Sequence, residues 1–499
     1  MEGALIGLQQ VFELGNLLAL FLGVLCGLVA GTLPGINANI TIAILIPITF
    51  GMDPQVAIML LVGVYCASCF GGSFPAILLR IPGTASSVVT TFDGFPMTQR
   101  GEGGKALGIS TVASVMGGII SGIILLTLAP FLAEQALKFG PAEYFALTIL
   151  GLSTVVGMSK EGGLVKNLIS MVIGLLIATI GMGPQTGYPR FTFGSTNLLD
   201  GISLIPLLIG LFGISAVLEI AQTAKKDQAS SKKVPKVSRI LPEFKLFKRL
   251  VPTISISALI GSFIGVIPGA GMIMAIYIAY DQAVRRFKDK KFGTGVPEGV
   301  AAPEAANNAV VGSSMVPLLS LGIPGNSASA LFLGALMIQG LRPGPELFTD
   351  HPDVAYPLII GFLVAYIFVF PLGILVAKFL SGTILKIPAN ILNGIVIALC
   401  MTGAFAIRNN IFDVWVAIAF GVLGFIFHKL QLSYSPLILA IVLGSMIEVN
   451  LQQSLVLSDG SWLIFLQKPI SLVLLIASLF FLVTPLLTKI RHTQKMRSN

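Results

Sequence analysis

The sequence predicts an all-α protein that crosses a membrane many times. Of its 499 residues, 55% are hydrophobic and only 11% are charged, whereas soluble domains carry roughly a quarter charged residues. Apolar runs recur along the whole chain, for example at 107–130, 201–220, 355–380 and 466–488. These runs reach about the 20 residues that a helix needs to span a bilayer, and they lack the strict alternation of a membrane β-barrel strand.

The net charge of +9 comes from basic residues that lie between and after the apolar runs. Clusters of lysine and arginine occupy 225–249, 285–291 and 489–497. Basic loops of membrane proteins stay in the cytoplasm. Membrane topology therefore explains the charge, and no nucleic-acid partner is predicted.

Three short motifs occur twice in the same order, which predicts an internal duplication. The pairs are 31–35 with 265–269, 80–86 with 322–328, and 139–143 with 386–390. We expect two related repeats, inverted relative to each other, with broken or re-entrant helices as in elevator-like transporters. The predicted segments are a first membrane repeat at 14–221, a basic cytoplasmic linker at 222–250, a second membrane repeat at 251–480 and a cytoplasmic tail at 481–499.

Two Pro-Gly pairs interrupt the apolar runs of each repeat. Such breaks free backbone groups, which hydrocarbon tolerates only where protein or water satisfies them. Paired breaks in two repeats indicate the substrate site of a transporter; helix kinks without function are the alternative. The predicted substrate-binding residues lie at and after the breaks: Pro34, Gly35, Asn37, Asn39, Pro82, Gly83, Thr84, Ser86, Pro268, Gly269, Ala270, Pro324, Gly325, Asn326 and Ser327.

The polar residues after the breaks suit an anion or a hard cation. Amides and hydroxyls can bind an anion together with the positive end of a helix, and unwound carbonyls can coordinate Na⁺. Some of these side chains will instead only cap the restarted helix. Arg80 is the one basic residue near a break. Apart from a Na⁺ site at the breaks, no metal centre is predicted, and no nucleophile–base pair points to an enzyme.

Glu304 lies among alanines in an apolar stretch and is followed by Asn307 and Asn308. An ionisable group in such a place is costly unless it is paired or hydrated, so these three residues are expected to couple an ion or to anchor a loop. Pro303 predicts that Glu304 lies in a first helical turn, which favours anchoring. Asp93 has a comparable place in the first repeat.

Basic clusters flank 252–284 on both sides, so both ends of this run are expected on one side of the membrane. The run must then turn back at its Pro-Gly pair as a hairpin. Residues 16–50 are expected to form the partner hairpin. The unbroken runs at 107–131, 143–158, 355–380 and 390–406 are expected to form the scaffold and the subunit interface.

These motifs resemble those of the large membrane subunit of the tripartite tricarboxylate transporters, the TctA type. The matching stretches are GTLPGINANI at 31–40, CFGGSFPAILLRIPGTASSVVTTFDGFPM at 69–97, GTGVPEGVAAPEAANNA at 293–309 and LLSLGIPGNSASALFLGALMIQGLRPGP at 318–345. The similarity extends over nearly the whole chain.

The resemblance implies a multi-pass secondary transporter of the bacterial inner membrane. It implies two partners, a periplasmic solute-binding protein that delivers the substrate and a small four-helix membrane subunit; a homodimer is also considered. The substrate would be a tri- or dicarboxylate or a related organic acid, imported with Na⁺ or H⁺. The alternative function is a passive channel or exporter for small organic anions.

Overall fold

The computed structural model describes residues 2–33, 35–158, 163–223, 240, 243–380 and 389–497. Most of the predicted basic linker lies outside these residues, as does most of the predicted motif at 386–390. The described helices are α1 (Glu2–Val11), α2 (Leu14–Thr32), α3 (Ala38–Thr49), α4 (Pro54–Gly71), α5 (Ser73–Leu79), α6 (Thr90–Gln99), α7 (Gly103–Ala136), α8 (Pro141–Met158), α9 (Gly163–Ala178), α10 (Leu204–Leu208), α11 (Ser215–Thr223), α12 (Phe244–Val266), α13 (Gly271–Arg286), α14 (Pro297–Ser313), α15 (Met315–Leu321), α16 (Ser327–Ile338), α17 (Glu346–Asp350), α18 (Pro352–Leu380), α19 (Ala389–Arg408), α20 (Ile411–Leu430), α21 (Tyr434–Leu457), α22 (Ile464–Gln467) and α23 (Pro469–Arg497).

Short elements complete the description. A π-helical turn at Ile209–Ile214 joins α10 to α11, and 3₁₀ turns lie at Ala85–Ser87 and Thr196–Leu198. Strands β1 (Gly181–Met182) and β2 (Pro189–Arg190) pair antiparallel. Within the described ranges, nine helical segments are long and apolar enough to cross a membrane. The prediction of an all-α polytopic fold is confirmed.

Helices α2 and α4 run parallel in close contact. A Cβ at Gly27 of α2 would lie 2.5 Å from the carbonyl oxygen of Val64 in α4. Gly23 and Gly31, one turn to either side of Gly27, meet the α4 backbone in the same way. Small residues at this spacing let two helices approach closely. Because α2 and α4 are parallel, α3 between them runs back, and the chain turns between α2 and α3 as predicted.

The run 252–284 also doubles back. Arg249 in the first turns of α12 and Lys290 just after α13 both pair with the same carboxylate oxygen of Glu298, the arginine at 3.2 Å. The two ends of the run therefore meet, and the turn lies between α12 and α13. This is the hairpin that the flanking basic clusters predict.

The two halves of the chain cross antiparallel. The Tyr65 hydroxyl in α4 lies 3.1 Å from the Ser314 hydroxyl at the end of α14. At the other end of this contact, the Ser73 hydroxyl donates at 2.7 Å to Glu304 in α14. Residue numbers rise along α4 and α5 while they fall along α14, so α4 and α14 run in opposite directions.

Helices α7 and α18 pack against the hairpins. Helix α7 contacts α12 and α14, while α18 contacts α2 and α4. A Cβ at Gly117 of α7 would lie 2.2 Å from the Ala305 carbonyl oxygen in α14. The runs 107–131 and 355–380 therefore lie directly against the hairpins, and their role as scaffold and subunit interface stays a prediction. An unbroken apolar run does not reveal which neighbours it packs against; small residues such as Gly117 decide that.

The helices form three groups by contact. The hairpin bundle comprises α2, α4–α7, α12–α15 and α18; helices α8, α9, α21 and α23 form a second group, and α10, α11, α19 and α20 form a third. The second and third groups are together called the outer bundle. Helices α3 and α16 lie between the two bundles, since α3 contacts α4 and α19 and α16 contacts α4 and α21. Helix α23 runs without a break across the boundary predicted at residue 480. The division into repeats, linker and cytoplasmic tail stays a prediction.

Candidate substrate-binding site

Two of the described helix starts that follow a break, those of α3 and α16, are capped by an asparagine side chain. The Asn37 side chain accepts a hydrogen bond from the Ile40 amide at 3.0 Å and caps α3. The Asn326 side chain accepts one from the Ser329 amide at 2.9 Å, and the Ser329 hydroxyl accepts one from the Asn326 amide at 2.8 Å. This reciprocal pair is a capping box at the start of α16. Part of the polar signal in the sequence is therefore helix capping.

The breaks contact each other through backbone that only glycine permits. The Gly269 amide, in a left-handed conformation with φ +78°, donates to the Gly325 carbonyl at 2.9 Å. In the first half the Gly83 amide donates to the Gly72 carbonyl at 3.2 Å. A Cβ at Gly83 would lie 2.9 Å from the carbonyl oxygen of Gly31. Glycine is needed at these positions because neighbouring backbone lies too close for a side chain, and not because the chain has to be flexible there.

A cavity of about 700 Å³ lies where the hairpin bundle faces the outer bundle. Residues from all four predicted breaks line it together. The predicted residues among them are Asn37, Asn39, Thr84, Ser86, Gly269, Ala270, Asn326 and Ser327. The structure thus brings together polar residues that are up to 290 positions apart in the sequence. Their role in binding a substrate stays a prediction.

The other predicted break residues do not line this cavity. Gly35 and Pro82 are exposed, and Pro268 is half-buried at its turn. Gly83, Pro324 and Gly325 lie buried behind the lining, the last two beside a narrow second cleft. Pro34 lies outside the described residues. Arg80 is also displaced from the cavity: it is exposed, with its guanidinium 5.9 Å from the centre of the Phe95 ring.

Most of the cavity's described lining surface is apolar, and its polar side chains are amides, hydroxyls and one imidazole. Its lining contains no Lys, Arg, Asp or Glu among the residues that the structure describes. Helices α3, α13 and α16 begin at its wall, because Ala38, Gly271 and Ala328 are among the lining residues. The amino-terminal end of a helix carries partial positive charge and free amide donors. An anion is the ligand that this arrangement favours.

The outer bundle contributes lining residues that the sequence analysis missed. They are Met158, Phe212, His428, Gln431, Leu432, Tyr434 and Ser435. Ser435 contacts Ser327 across the cavity wall, hydroxyl to hydroxyl at 3.0 Å. The available signal was the polar loop between the apolar runs of α20 and α21. No repeated Pro-Gly pair marks that loop, so the motif search passed over it.

Glu304 is fully buried in the middle of α14, and this corrects the expectation of a first helical turn. The helix begins at Pro297, so Glu298 takes the first-turn position and Pro303 lies inside the helix. Proline is favoured at the first position of a helix. Both Pro297 and Pro303 fit that rule, and Pro297 is the one that starts α14.

Four hydroxyl groups from the first half surround the Glu304 carboxylate. Ser73 donates at 2.7 Å, Ser110 and Ser114 donate at 3.1 Å each, and Thr90 donates as well. Within the described residues no basic side chain pairs with it. Hydroxyl donors thus stabilise a buried carboxylate that links α5, α6 and α7 to α14.

Asn307 and Asn308 are also fully buried on α14, away from the cavity lining. The Asn307 amide donates at 3.2 Å to the carbonyl of Cys69, a residue that lines the cavity. Its Oδ1 atom has no hydrogen-bond partner in the described part of the chain. Asn308 instead receives the Tyr366 hydroxyl, at 3.2 Å from its carbonyl oxygen.

Asp93 anchors the loop before α14, as its place in the sequence suggested. Its Oδ1 atom accepts three backbone hydrogen bonds from Gly293, Gly295 and Val296 at 2.7–2.9 Å. The Tyr280 hydroxyl donates to its other oxygen at 2.9 Å. A carboxylate from the first half therefore fixes the entry to α14 in the second half.

Asn39 offers the cleanest test of the cavity. Its side chain lines the cavity, is half-buried, and makes no hydrogen bond with the described residues. Asn39→Ala should weaken carboxylate binding by about 1.5–3 kcal/mol if the amide donates to a carboxylate, with the melting temperature unchanged. Asn326→Ala should instead lower stability by about 1 kcal/mol, because it removes a helix cap. Calorimetric binding and thermal unfolding of both variants separate the two roles; unaltered binding in Asn39→Ala would remove Asn39 from the site.

A family model describes the same chain. The model of the tripartite tricarboxylate transporter TctA family matches residues 17–439, a range that includes all four breaks and Glu304. The chain belongs to the TctA family. This confirms the resemblance found in the motifs. The chain is therefore a multi-pass membrane subunit of a tripartite transporter, and the family is one of transporters rather than enzymes.

Relatives of this TctA protein occur in bacteria and archaea. An uncharacterised 52.8 kDa protein in the TAR-I ttuC' 3' region of Agrobacterium vitis is 36% identical over 491 residues, which cover 97% of this chain and 96% of that protein. An uncharacterised protein of Methanocaldococcus jannaschii is 30% identical over 196 residues, 39% of this chain and 48% of that protein. No solved structure matches the chain.

Proposed function

We propose that this chain is the translocating subunit of an ion-coupled importer for a tri- or dicarboxylate, or a related organic acid, in the bacterial inner membrane. A periplasmic solute-binding protein delivers the substrate, and a small four-helix membrane subunit completes the transporter. The observation that carries the proposal is the cavity where residues from all four helix breaks meet. Three helices begin at its wall, which suits a carboxylate.

The mechanism we propose is alternating access by two inverted repeats. The antiparallel crossing of α4 with α14 supports the inverted relation. The position of the cavity between the hairpin bundle and the outer bundle supports movement of one bundle against the other. A site that is half on each bundle would be exposed or covered as the bundles shift.

Import of a carboxylate needs an energy source. Moving one negative charge into a negative interior costs about 2.3 kcal/mol per 100 mV, so a multivalent anion needs accompanying Na⁺ or H⁺. The buried Oδ1 of Asn307 is an unused oxygen acceptor close to the cavity wall at Cys69. Helix α14 is continuous around Asn307, so this residue would offer Na⁺ a side-chain oxygen, beside the backbone carbonyls that unwound helix segments supply in such transporters.

Uptake of radiolabelled citrate, succinate and benzoate into reconstituted vesicles tests the proposal. Uptake of at least one should require the solute-binding protein, the small subunit and an inward Na⁺ or H⁺ gradient together. Collapsing the gradients should abolish accumulation. Equal uptake by this chain alone, without any gradient, would instead establish a passive channel.

A further inference from the structure

The cavity contains one side chain that can carry a full positive charge near neutral pH. Among the described lining residues this is His428, near the carboxyl end of α20. Histidine is protonated below about pH 6.5 in the absence of perturbing groups. The described lining of this proposed anion site holds no Lys or Arg, so a histidine there is important for binding a multivalent anion. A charge-assisted hydrogen bond is stronger than a neutral one.

A carboxylate lies beside one ring nitrogen of His428. The Nδ1 atom of His428 lies 3.5 Å from Oε1 of Glu219 in α11. The Tyr434 hydroxyl lies 3.2 Å from the same oxygen and 2.9 Å from the Gly424 carbonyl, so the two acceptors compete for its proton. Glu219 does not line the cavity, whereas His428 does. With the acidic partner beside Nδ1, the other ring nitrogen of His428 is the one left for a ligand.

The other ring nitrogen of His428, Nε2, has no partner within the part of the chain that the structure describes. The imidazole is 59% exposed, and His428 is among the residues that line the cavity. A hydrogen-bond donor without a protein partner at the wall of an anion site is free to bind a ligand.

The other charged groups around His428 are directed elsewhere. Lys429, its neighbour on α20, places its ammonium 4.5 Å from the centre of the Phe425 ring. Lys166 of α9 donates at 2.7 Å to the Leu430 carbonyl. On α11, the charged residue that faces the imidazole is Glu219. The Arg408–Asp413 pair of α19 and α20 lies at the opposite end of α20.

We propose that His428, oriented by Glu219, binds a carboxylate group of the substrate. The inference rests on the proposed function and assigns a residue to it. The protonated imidazole donates from Nε2 to the carboxylate, and the helix starts at the cavity wall bind the rest of the anion. Because His428 belongs to the outer bundle, the contact exists only while the hairpin bundle is in the position seen here. It therefore contributes to affinity in this state and is lost when the bundles move.

Binding of citrate, succinate and benzoate to the purified protein, measured by calorimetry at about pH 6 and about pH 8, tests the assignment. His428→Gln should weaken binding about tenfold at the lower pH. The wild type should bind more weakly at the higher pH than at the lower pH, whereas His428→Gln should bind equally at both. Glu219→Gln should give a smaller change in the same direction. Lys429→Gln, the matched control on the same helix, should bind like the wild type.

The outcomes are distinguishable. If His428→Gln binds with wild-type affinity and an unchanged pH profile, the assignment is overturned while the proposed function stands. If the wild type binds none of the three acids, the carboxylate function itself fails. A melting temperature near that of the wild type shows that the loss in His428→Gln is not a folding defect.

Discussion

Replacing Glu304 with alanine should lower the free energy of unfolding by about 3 kcal/mol or more, because a buried hydroxyl that loses its acceptor costs about 1–3 kcal/mol. Four hydroxyl donors, from Ser73, Thr90, Ser110 and Ser114, would lose their common acceptor. Some can turn to carbonyls of their own helices, which limits the loss. The measurement is chemical unfolding of the purified protein in detergent.

Glu304→Gln is the matched control for that experiment. Glutamine keeps the volume and one acceptor oxygen, and the hydroxyls can accept from its amide, so we expect a loss of about 1 kcal/mol. An alanine variant as stable as the wild type would contradict the described hydroxyl cluster. In vesicles the glutamine variant also separates the two roles expected for Glu304: an altered ion or pH dependence of uptake indicates coupling, and an unaltered one indicates anchoring.

Gly27→Ala should destabilise the protein by about 1–3 kcal/mol, the usual cost of overpacking, and Gly27→Leu should prevent folding. A Cβ at this position would meet the Val64 carbonyl oxygen at 2.5 Å, and backbone cannot rotate away as a side chain can. Gly394→Ala is the control, because Gly394 lies in α19 with no heavy atom within 4 Å of an added Cβ.

Both glycine variants gain the same helix propensity from alanine. The difference between them therefore measures the contact between α2 and α4. Equal melting temperatures for Gly27→Ala and Gly394→Ala would contradict the close parallel packing of these helices. Yield from membranes and size-exclusion profiles report the outcome for Gly27→Leu.

The sequence alone predicts the hairpins and most of the cavity's hairpin side. Proline and glycine act on the backbone locally, so the turn near Gly269 can be read from the residues around it. The basic residues beside it, such as Arg249 and Lys290, predict where the ends of the hairpin lie. The same reasoning predicts six polar site residues, and all six line one cavity: Asn37, Asn39, Thr84, Ser86, Asn326 and Ser327.

The outer side of the cavity could not be predicted in this way. His428 and Gln431 lie in the cavity only because α20 packs against α11 and ends beside the hairpins, and tertiary packing leaves no local mark. The sequence predicts the wrong helical turn for Glu304 because either of two prolines, Pro297 and Pro303, could start the helix. Asn37 and Asn326 show a third limit, since a cap and a ligand contact use the same residue types.

The Glu304 cluster also constrains how the chain can be made. Ser73 is synthesised 231 residues before Glu304, and Ser114 is synthesised 190 residues before it. While the ribosome makes the intervening helices, the hydroxyls of the first half lack their acceptor, and α7 lacks the α14 surface that Gly117 packs against. The first half therefore stays incompletely packed in the membrane until the second half is made. A slowly folding chain is most open to misassembly and proteolysis during such a period. Membrane insertion can proceed helix by helix, but the hairpin bundle closes only when α14 arrives.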